Sequence, residues 1–161
     1  MSKTIVVYYS FEGNTKSVAE FLAKDLNADI LEVKPSKELK SKGFGKYFWG
    51  GKQVIMGEKP ELKPLSKNLD AYDTILVGTP IWAGTYAPPI KTLLEGKYIE
   101  GKKVAYFYCH QGGPGKAVDK AKSVIEKKNT FIGAKDFLNP KKNLESTSKE
   151  AKLWAERIIK D

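Results

Sequence analysis

An apolar run that passes directly into a loop of hydroxyl and small side chains decides the fold, and it reads Ile5-Val6-Val7-Tyr8-Tyr9-Ser10-Phe11-Glu12-Gly13-Asn14-Thr15. Apolar residues at helical spacing follow at Val18, Leu22 and Leu26. A strand buried on both faces, a short loop and an amphipathic helix are therefore predicted in succession. This order of elements is the opening unit of a parallel α/β sheet.

The loop between this strand and this helix is a candidate anion site. The first N–H groups of a helix have no partner within it, and they lie at the positive end of the helix dipole. The side chains of Ser10, Asn14 and Thr15 can add donors. No Lys or Arg lies between Tyr8 and Thr15, so a phosphate bound here would be held by neutral hydrogen bonds. An ordinary helix cap is the alternative interpretation.

Length and composition indicate one domain spanning 1–161. No apolar run is long enough to span a bilayer, and no secretory signal opens the chain, so a membrane partner is not expected. Cys109 and His110 are the only cysteine and histidine, which excludes an internal disulfide, a cysteine cluster for a metal and chemistry that needs several histidines. A cytoplasmic location and no bound metal are the simplest expectations.

The formal net charge of +9 raises the question of nucleic-acid binding. Arg157 is the only arginine, however, and the lysines are spread along the chain without a dense basic block. Recognition of bases and bidentate contacts to phosphate favour arginine. The composition therefore predicts a solvated lysine surface and no nucleic-acid partner, and it favours protein partners with acidic docking surfaces.

Strand and helix patterns alternate along the chain. Strands are predicted at Ile5–Tyr9, Ala28–Val33, Thr74–Gly78, Val104–Tyr108 and Phe131–Phe137. Later helical faces begin at Pro88, at Ala117 and near Ala151, the last after a capping box of Thr147 and Glu150. The second and fifth strands carry charged residues and are read as edges. The pattern predicts an α/β fold with a doubly wound five-stranded parallel sheet of order 2-1-3-4-5; residues 35–72 are the least readable part.

Ligands of such sheets bind at the carboxyl ends of the strands, and two further loops lie there. One comprises Thr79-Pro80-Ile81-Trp82-Ala83-Gly84, in which Trp82 either stacks on a planar ligand or covers the end of the sheet. The other comprises Cys109-His110-Gln111-Gly112-Gly113, whose glycines allow close backbone approach but also fit an ordinary turn. Cys109 is read as a small buried apolar residue and not as a reactive thiol.

These three loops together resemble those of the flavodoxin family in its short form, and the resemblance covers nearly the whole chain. It implies that the first loop binds the phosphate of FMN and that the other two flank the flavin ring. It implies no catalytic residue. The cofactor-binding residues it implies are Ser10, Glu12, Gly13, Asn14, Thr15, Thr79, Pro80, Ile81, Trp82, Ala83, Gly84, His110, Gln111, Gly112 and Gly113.

The resemblance favours a low-potential electron carrier between redox partner proteins. An FMN-dependent NAD(P)H:quinone oxidoreductase is the alternative, with the aromatic segment Phe44–Trp49 as a candidate pocket wall or as core packing. The chain departs from the family in being basic, and the loop 109–115 has neither an acid nor an aromatic residue. Tyr86 or an aromatic of Phe44–Trp49 is therefore the candidate to cover the outer face of the flavin. A phosphate loop of nucleotide hydrolases is excluded because Gly13-Asn14-Thr15 lacks its lysine.

Overall fold

The computed structural model describes residues 3–36, 59–112 and 115–160. Its strands are β1 (Thr4–Tyr8), β2 (Asp29–Glu32), β3 (Thr74–Trp82), β4 (Thr85–Tyr86), β5 (Lys103–His110) and β6 (Thr130–Leu138). Its helices are α1 (Asn14–Leu26), α2 (Pro88–Glu95), α3 (Ala117–Ile125) and α4 (Leu144–Lys160). Short 3₁₀ turns lie at Leu69–Ala71 and Pro140–Lys142. The predicted segment Phe44–Trp49 lies outside the described residues.

Five strands form a parallel sheet of order β2-β1-β3-β5-β6, which confirms the predicted fold class and strand order. The carboxyl ends of β1, β3 and β5 are consequently neighbours at one edge of the sheet. In this arrangement the loops that follow Tyr8, Trp82 and His110 can meet.

Alternate residues of the central strands pack on opposite faces of the sheet, as the period of two requires. Ile5, Ile75 and Val104 belong to one buried cluster, together with residues of α2 and α3. Val6, Leu76 and Ala105 belong to the other, together with residues of α1 and α4. Both faces are therefore covered, which explains why these strands read as continuous apolar runs.

The two acidic residues of the edge strand β2 accept hydrogen bonds from tyrosine hydroxyls. Asp29 accepts a hydrogen bond of 2.5 Å from the hydroxyl of Tyr72, and Glu32 accepts one of 3.3 Å from the hydroxyl of Tyr8. The bond from Tyr72 lowers the pKa of Asp29, and the same bond raises the pKa of Tyr72. These tyrosines thus fasten the edge strand to the elements beside it.

A sixth strand, which the sequence did not predict, forms a hairpin at the end of β3. Trp82 pairs with Thr85, and Ala83 and Gly84 between them have φ of 50° and 77°. Positive φ at both central residues is the geometry of the two-residue turns that match strand twist. The hairpin extends β3 four residues beyond the predicted end at Gly78.

The predicted capping box of the last helix is wrong, because α4 begins earlier. The side chain of Asn143 accepts a hydrogen bond of 3.0 Å from the backbone of Ser146, which is the geometry of a helix cap. Thr147 lies within the first turns, where its buried hydroxyl donates to the carbonyl of Pro140 at 3.1 Å. That bond fixes the turn before α4.

Gly78 lets β3 lie beside a large side chain of β5. Gly78 is the register partner of Phe107, and a Cβ on Gly78 would lie 2.1–2.8 Å from atoms of the Phe107 ring. The ring is fully buried and packs against Trp154 of α4, with centroids 6.4 Å apart. A side chain at position 78 would displace this packing directly below the candidate site.

We expect Gly78→Ala to lower the free energy of unfolding by roughly 1–3 kcal/mol, because the added methyl overpacks the core. Phe107→Leu creates room beside position 78. We therefore expect it to lower the free energy of unfolding less in the Gly78→Ala background than in the wild type. Urea unfolding of the two single variants and the double variant measures this coupling. A Gly78→Ala chain within about 0.5 kcal/mol of the wild type would contradict the packing described here.

Candidate functional site

The first loop is held in shape by the hydroxyl of Ser10. Ser10 Oγ accepts hydrogen bonds from the backbone N–H groups of Gly13 and Lys16, each at 3.2 Å. Gly13 is the N-cap residue of α1 and has a φ of 97°, a conformation that glycine adopts readily. The oxygen of Ser10 therefore braces the loop, and only its hydroxyl hydrogen remains to donate to a ligand.

Thr15 is the deepest polar residue of this loop. It is 1% exposed, and no nitrogen or oxygen of the described residues forms a hydrogen bond with its hydroxyl. The thiol of the buried Cys109 is a weak partner: burial raises the pKa of that thiol to about 12, and a side-chain hydrogen bond with Thr15 lowers it by less. A buried hydroxyl that lacks a good hydrogen-bond partner costs about 1–3 kcal/mol. A ligand oxygen at the start of α1 would remove that cost.

A fourth segment, the turn after β6, also reaches this loop. The ammonium of Lys141 donates to the carbonyl of Glu12 at 3.1 Å, and the backbone N–H of Lys141 donates to the side-chain oxygen of Asn14 at 3.2 Å. That a phosphate would be held here by neutral hydrogen bonds stays a prediction, but the surroundings of the loop are not neutral. One cation comes from a distant part of the chain.

The hairpin presents its aromatic residue to the first loop. The ring of Trp82 makes edge-to-face contacts with Tyr9 and Phe11, at centroid distances of 5.8 and 5.9 Å, and is half-buried. Thr79 is buried, and its hydroxyl donates to the carbonyl of Pro80 at 2.8 Å while accepting from the N–H of Ala87 at 3.0 Å. Thr79 thus supports the hairpin, and its role as a ligand stays a prediction.

The tip of the hairpin meets the third loop. A Cβ on Gly115 would lie 3.1 Å from the carbonyl oxygen of Gly84. Gly84 and Gly112 have open space where a side chain would stand, since none of the atoms in the described part of the chain lies within 4 Å of a Cβ built on either. Ala83, Gln111 and Gly112 are exposed. A planar group could approach the backbone closely at these positions.

His110 is the polar anchor of the third loop. Its Nδ1 accepts from the N–H of Gly112 at 3.1 Å, so Nε2 carries the hydrogen and donates to Asp136 at 3.0 Å. This hydrogen bond holds the pKa of Asp136 below its usual range, and the nearby Lys135 lowers it further. An acid from β6 therefore stands beside a loop that contains none in its own sequence.

The structure brings most of the predicted site residues to one edge of the sheet. Pro80, Ile81 and Trp82 are half-buried on the hairpin, Glu12 is exposed on the first loop, and Gly113 lies outside the described residues. Tyr86 is 2% exposed within the core, so the expectation that it covers a flavin face is wrong.

Lys141 and Asp136 contact the predicted site residues Glu12 and His110, and sequence reasoning did not name either of them. Both lie in or after the last strand, and β6 runs parallel to β5. The rule that sites lie at the carboxyl ends of parallel strands applies to this strand as well. Its end, Leu138-Asn139-Pro140-Lys141, carries the turn residues that could have marked it.

Comparison with known proteins agrees with this geometry. A family model described as flavodoxin matches residues 3–158. A flavoprotein from Lactobacillus acidophilus, solved in complex with FMN, is 29% identical, with a TM-score of 0.72 over 84% of this chain and 93% of that one. A search of curated proteins found no match.

Two more distant structures share the fold. A protein from Bacteroides eggerthii is 23% identical, with a TM-score of 0.77 and 99% of each chain covered. The two-electron reduced flavodoxin of Megasphaera elsdenii is 19% identical, with a TM-score of 0.55 over 95% of this chain and 98% of that one. The match to the family model extends over nearly the whole chain, and the chain therefore belongs to the flavodoxin family.

Within the described ranges, none of the helices combines the length and apolar character needed to cross a membrane. Those residues also contain no group of three or more His, Cys, Asp or Glu side chains that could hold a metal ion.

Proposed function

We propose that this chain binds FMN and works as a flavodoxin, carrying electrons between redox partner proteins. When bound, FMN supplies the redox chemistry, because a flavin accepts and releases electrons singly or in pairs. The observation that carries the proposal is the buried hydroxyl of Thr15, which has no nitrogen or oxygen partner among the described residues and lies at the N-terminus of α1.

The residues of the first loop fit a phosphate. Its backbone N–H groups at Asn14 and Thr15 open α1, where anions are stabilised by the helix dipole. The hydroxyls of Ser10 and Thr15 would donate to phosphate oxygens. FMN carries one terminal phosphate, which matches a single loop of this kind.

The hairpin and the third loop fit the flavin ring. Gly84 and Gly112 leave their backbone open to a flat ligand, while Trp82 closes the side next to Tyr9. These residues would orient the ring and exclude water from one part of it. Both ring nitrogens of His110 are engaged, one with Asp136 and the other with the N–H of Gly112, so in this geometry the pair braces the third loop. A carrier needs no more than this, because it requires neither a general acid nor a general base.

The proposed partners carry acidic docking surfaces. Exposed lysines lie around the site on three elements, namely Lys16 on α1, Lys116 and Lys120 at the start of α3, and Lys141 and Lys142 after β6. The acids on the same side are the exposed Glu12 and Asp119 and the partly exposed Asp136, and the lysines outnumber them. We place the protein in the cytoplasm, because a chain with the single buried Cys109 needs no oxidising compartment.

Replacing Thr15 by Val tests the phosphate site. We expect Thr15→Val to leave the apo-protein about as stable as the wild type, because among the described residues the hydroxyl that it removes has only the weak contact with the thiol of Cys109. We expect it to weaken FMN binding by roughly 1.5–3 kcal/mol, the value of a hydrogen bond to a charged group. Titration of the apo-protein with FMN and urea unfolding measure the two effects.

Thr79→Val is the matched control, since its hydroxyl makes two internal hydrogen bonds. That variant is expected to lose about 1–3 kcal/mol of stability, because the N–H of Ala87 is left without a partner. A Thr15→Val chain that binds FMN as well as the wild type would place the phosphate elsewhere.

The carrier role predicts how the bound flavin is reduced. We expect stepwise photoreduction to pass through two separate one-electron stages, seen as long-wavelength absorbance that grows and then disappears. We expect NADH and NADPH to reduce the flavin no faster than they reduce FMN in solution. Rapid two-electron reduction by either nucleotide would instead support the quinone reductase.

The charge around the site predicts a salt effect on electron transfer. We expect the reduced protein to react with a small acidic haem protein at a rate that falls as salt rises, because screening weakens the attraction. With a small basic haem protein of similar size, the rate should rise or stay constant. The opposite pattern in stopped-flow measurements would refute the proposed acidic partner surface.

A further inference from the structure

Lys141 is held more firmly than an ordinary surface lysine. The N–H of Asn139 donates to the carbonyl of His110 at 2.9 Å, which ties the start of this turn to the end of β5. Pro140 is buried, and its carbonyl accepts the hydroxyl of Thr147 at 3.1 Å. The N–H of Lys141 itself donates to Asn14. The backbone of Lys141 is therefore fixed relative to the first loop.

The side chain of Lys141 runs along Gly13. A Cβ on Gly13 would lie 3.4 Å from Nζ of Lys141 and 3.7 Å from its Cδ. The ammonium ends 3.1 Å from the carbonyl oxygen of Glu12. These distances are ordinary van der Waals contacts, so glycine is needed at position 13 for its positive φ, and the lysine packs against it.

The carbonyl of Glu12 and the N–H of Gly13 belong to the same planar peptide unit. In a trans peptide these two groups point in opposite directions. Lys141 holds the carbonyl on one side, and the N–H donates to Ser10 Oγ on the other, at 3.2 Å. A cation on the carbonyl polarises the peptide and strengthens the bond that its N–H donates.

Ser10 Oγ has two lone pairs, and the N–H groups of Gly13 and Lys16 occupy both. In both of these bonds Ser10 Oγ is the acceptor. The hydroxyl hydrogen takes no part in either bond, so it can be donated to a further group. An anion at the start of α1 would be its natural acceptor. The contacts therefore connect the ammonium of Lys141, through the Glu12–Gly13 peptide, to the hydroxyl of Ser10.

We propose that Lys141 is a positioning residue for the phosphate of the bound nucleotide, acting through the Glu12–Gly13 peptide on the hydroxyl of Ser10. Lys141 also brings a positive charge to a loop that has none before Lys16 in its own sequence. The inference rests on the proposed binding of FMN. It makes the turn after β6 a part of the site that recognises the phosphate.

Comparison of FMN with riboflavin tests this role, because riboflavin has the same ring and no phosphate. We expect Lys141→Met to raise the Kd for FMN about three- to tenfold at low salt and to leave the Kd for riboflavin unchanged. The loss should shrink as salt rises, and Lys141→Arg should restore most of the affinity. Fluorescence titration of each apo-protein gives the constants, and thermal unfolding verifies the fold.

Lys142→Met is the matched control, since it removes the same charge one residue further along. We expect it to change the ratio of FMN to riboflavin affinity less than Lys141→Met does. We also expect the effect of Lys141→Met to shrink in a Ser10→Ala background, because the hydroxyl through which it acts is gone.

The proposal is overturned if Lys141→Met leaves the ratio of FMN to riboflavin affinity unchanged. It is also overturned if Lys142→Met lowers that ratio as much as Lys141→Met does. An equal effect of Lys141→Met with and without Ser10 overturns it too. A wild-type chain that binds neither FMN nor inorganic phosphate would instead overturn the proposed function, and this inference with it.

Discussion

The passage from β1 into α1 is the constraint on which the rest of the site depends. β1 lies between β2 and β3 and is buried from Ile5 to Tyr8, so the point where its chain leaves the core is fixed. Gly13 then turns the backbone with a φ of 97°, and Thr15 carries into the interior a hydroxyl that no nitrogen or oxygen of the described residues binds. The described core leaves the hydroxyls of Thr85, Tyr86 and Tyr106 in the same condition, and Thr15 differs from them in lying at the start of a helix, where an anion would be the acceptor.

The parallel sheet brings the other segments of the candidate site to the same edge as this passage. Strands that run in one direction deliver their loops to one edge, so the hairpin, the loop of His110 and the turn of Lys141 all meet the first loop or one another. The contacts among these segments are mostly hydrogen bonds to backbone groups. Such contacts position a ligand without requiring an acid or a base, which suits a protein that holds a cofactor and lets electrons pass.

The sequence predicted the sheet well because its strands differ in burial. Continuous apolar runs marked the centre, and Asp29 and Lys135 marked the two edges, so the order followed from pattern alone. The hairpin was missed because its turn has Ala83 where Asn, Asp or Gly usually signals positive φ. The start of α4 was misplaced because Asn143 caps it, while Thr147 bonds to Pro140. Local patterns could not reveal Lys141 beside Glu12, since that contact joins residues 129 positions apart.

The most direct test of the central claim is the amide spectrum of the apo-protein, labelled with ¹⁵N, during addition of FMN. If the start of α1 binds the phosphate, the amide protons of Gly13, Asn14 and Thr15 will move strongly with FMN and far less with riboflavin. Amides of the hairpin should respond to both ligands. Loop amides that stay in place while FMN binds elsewhere would contradict the account.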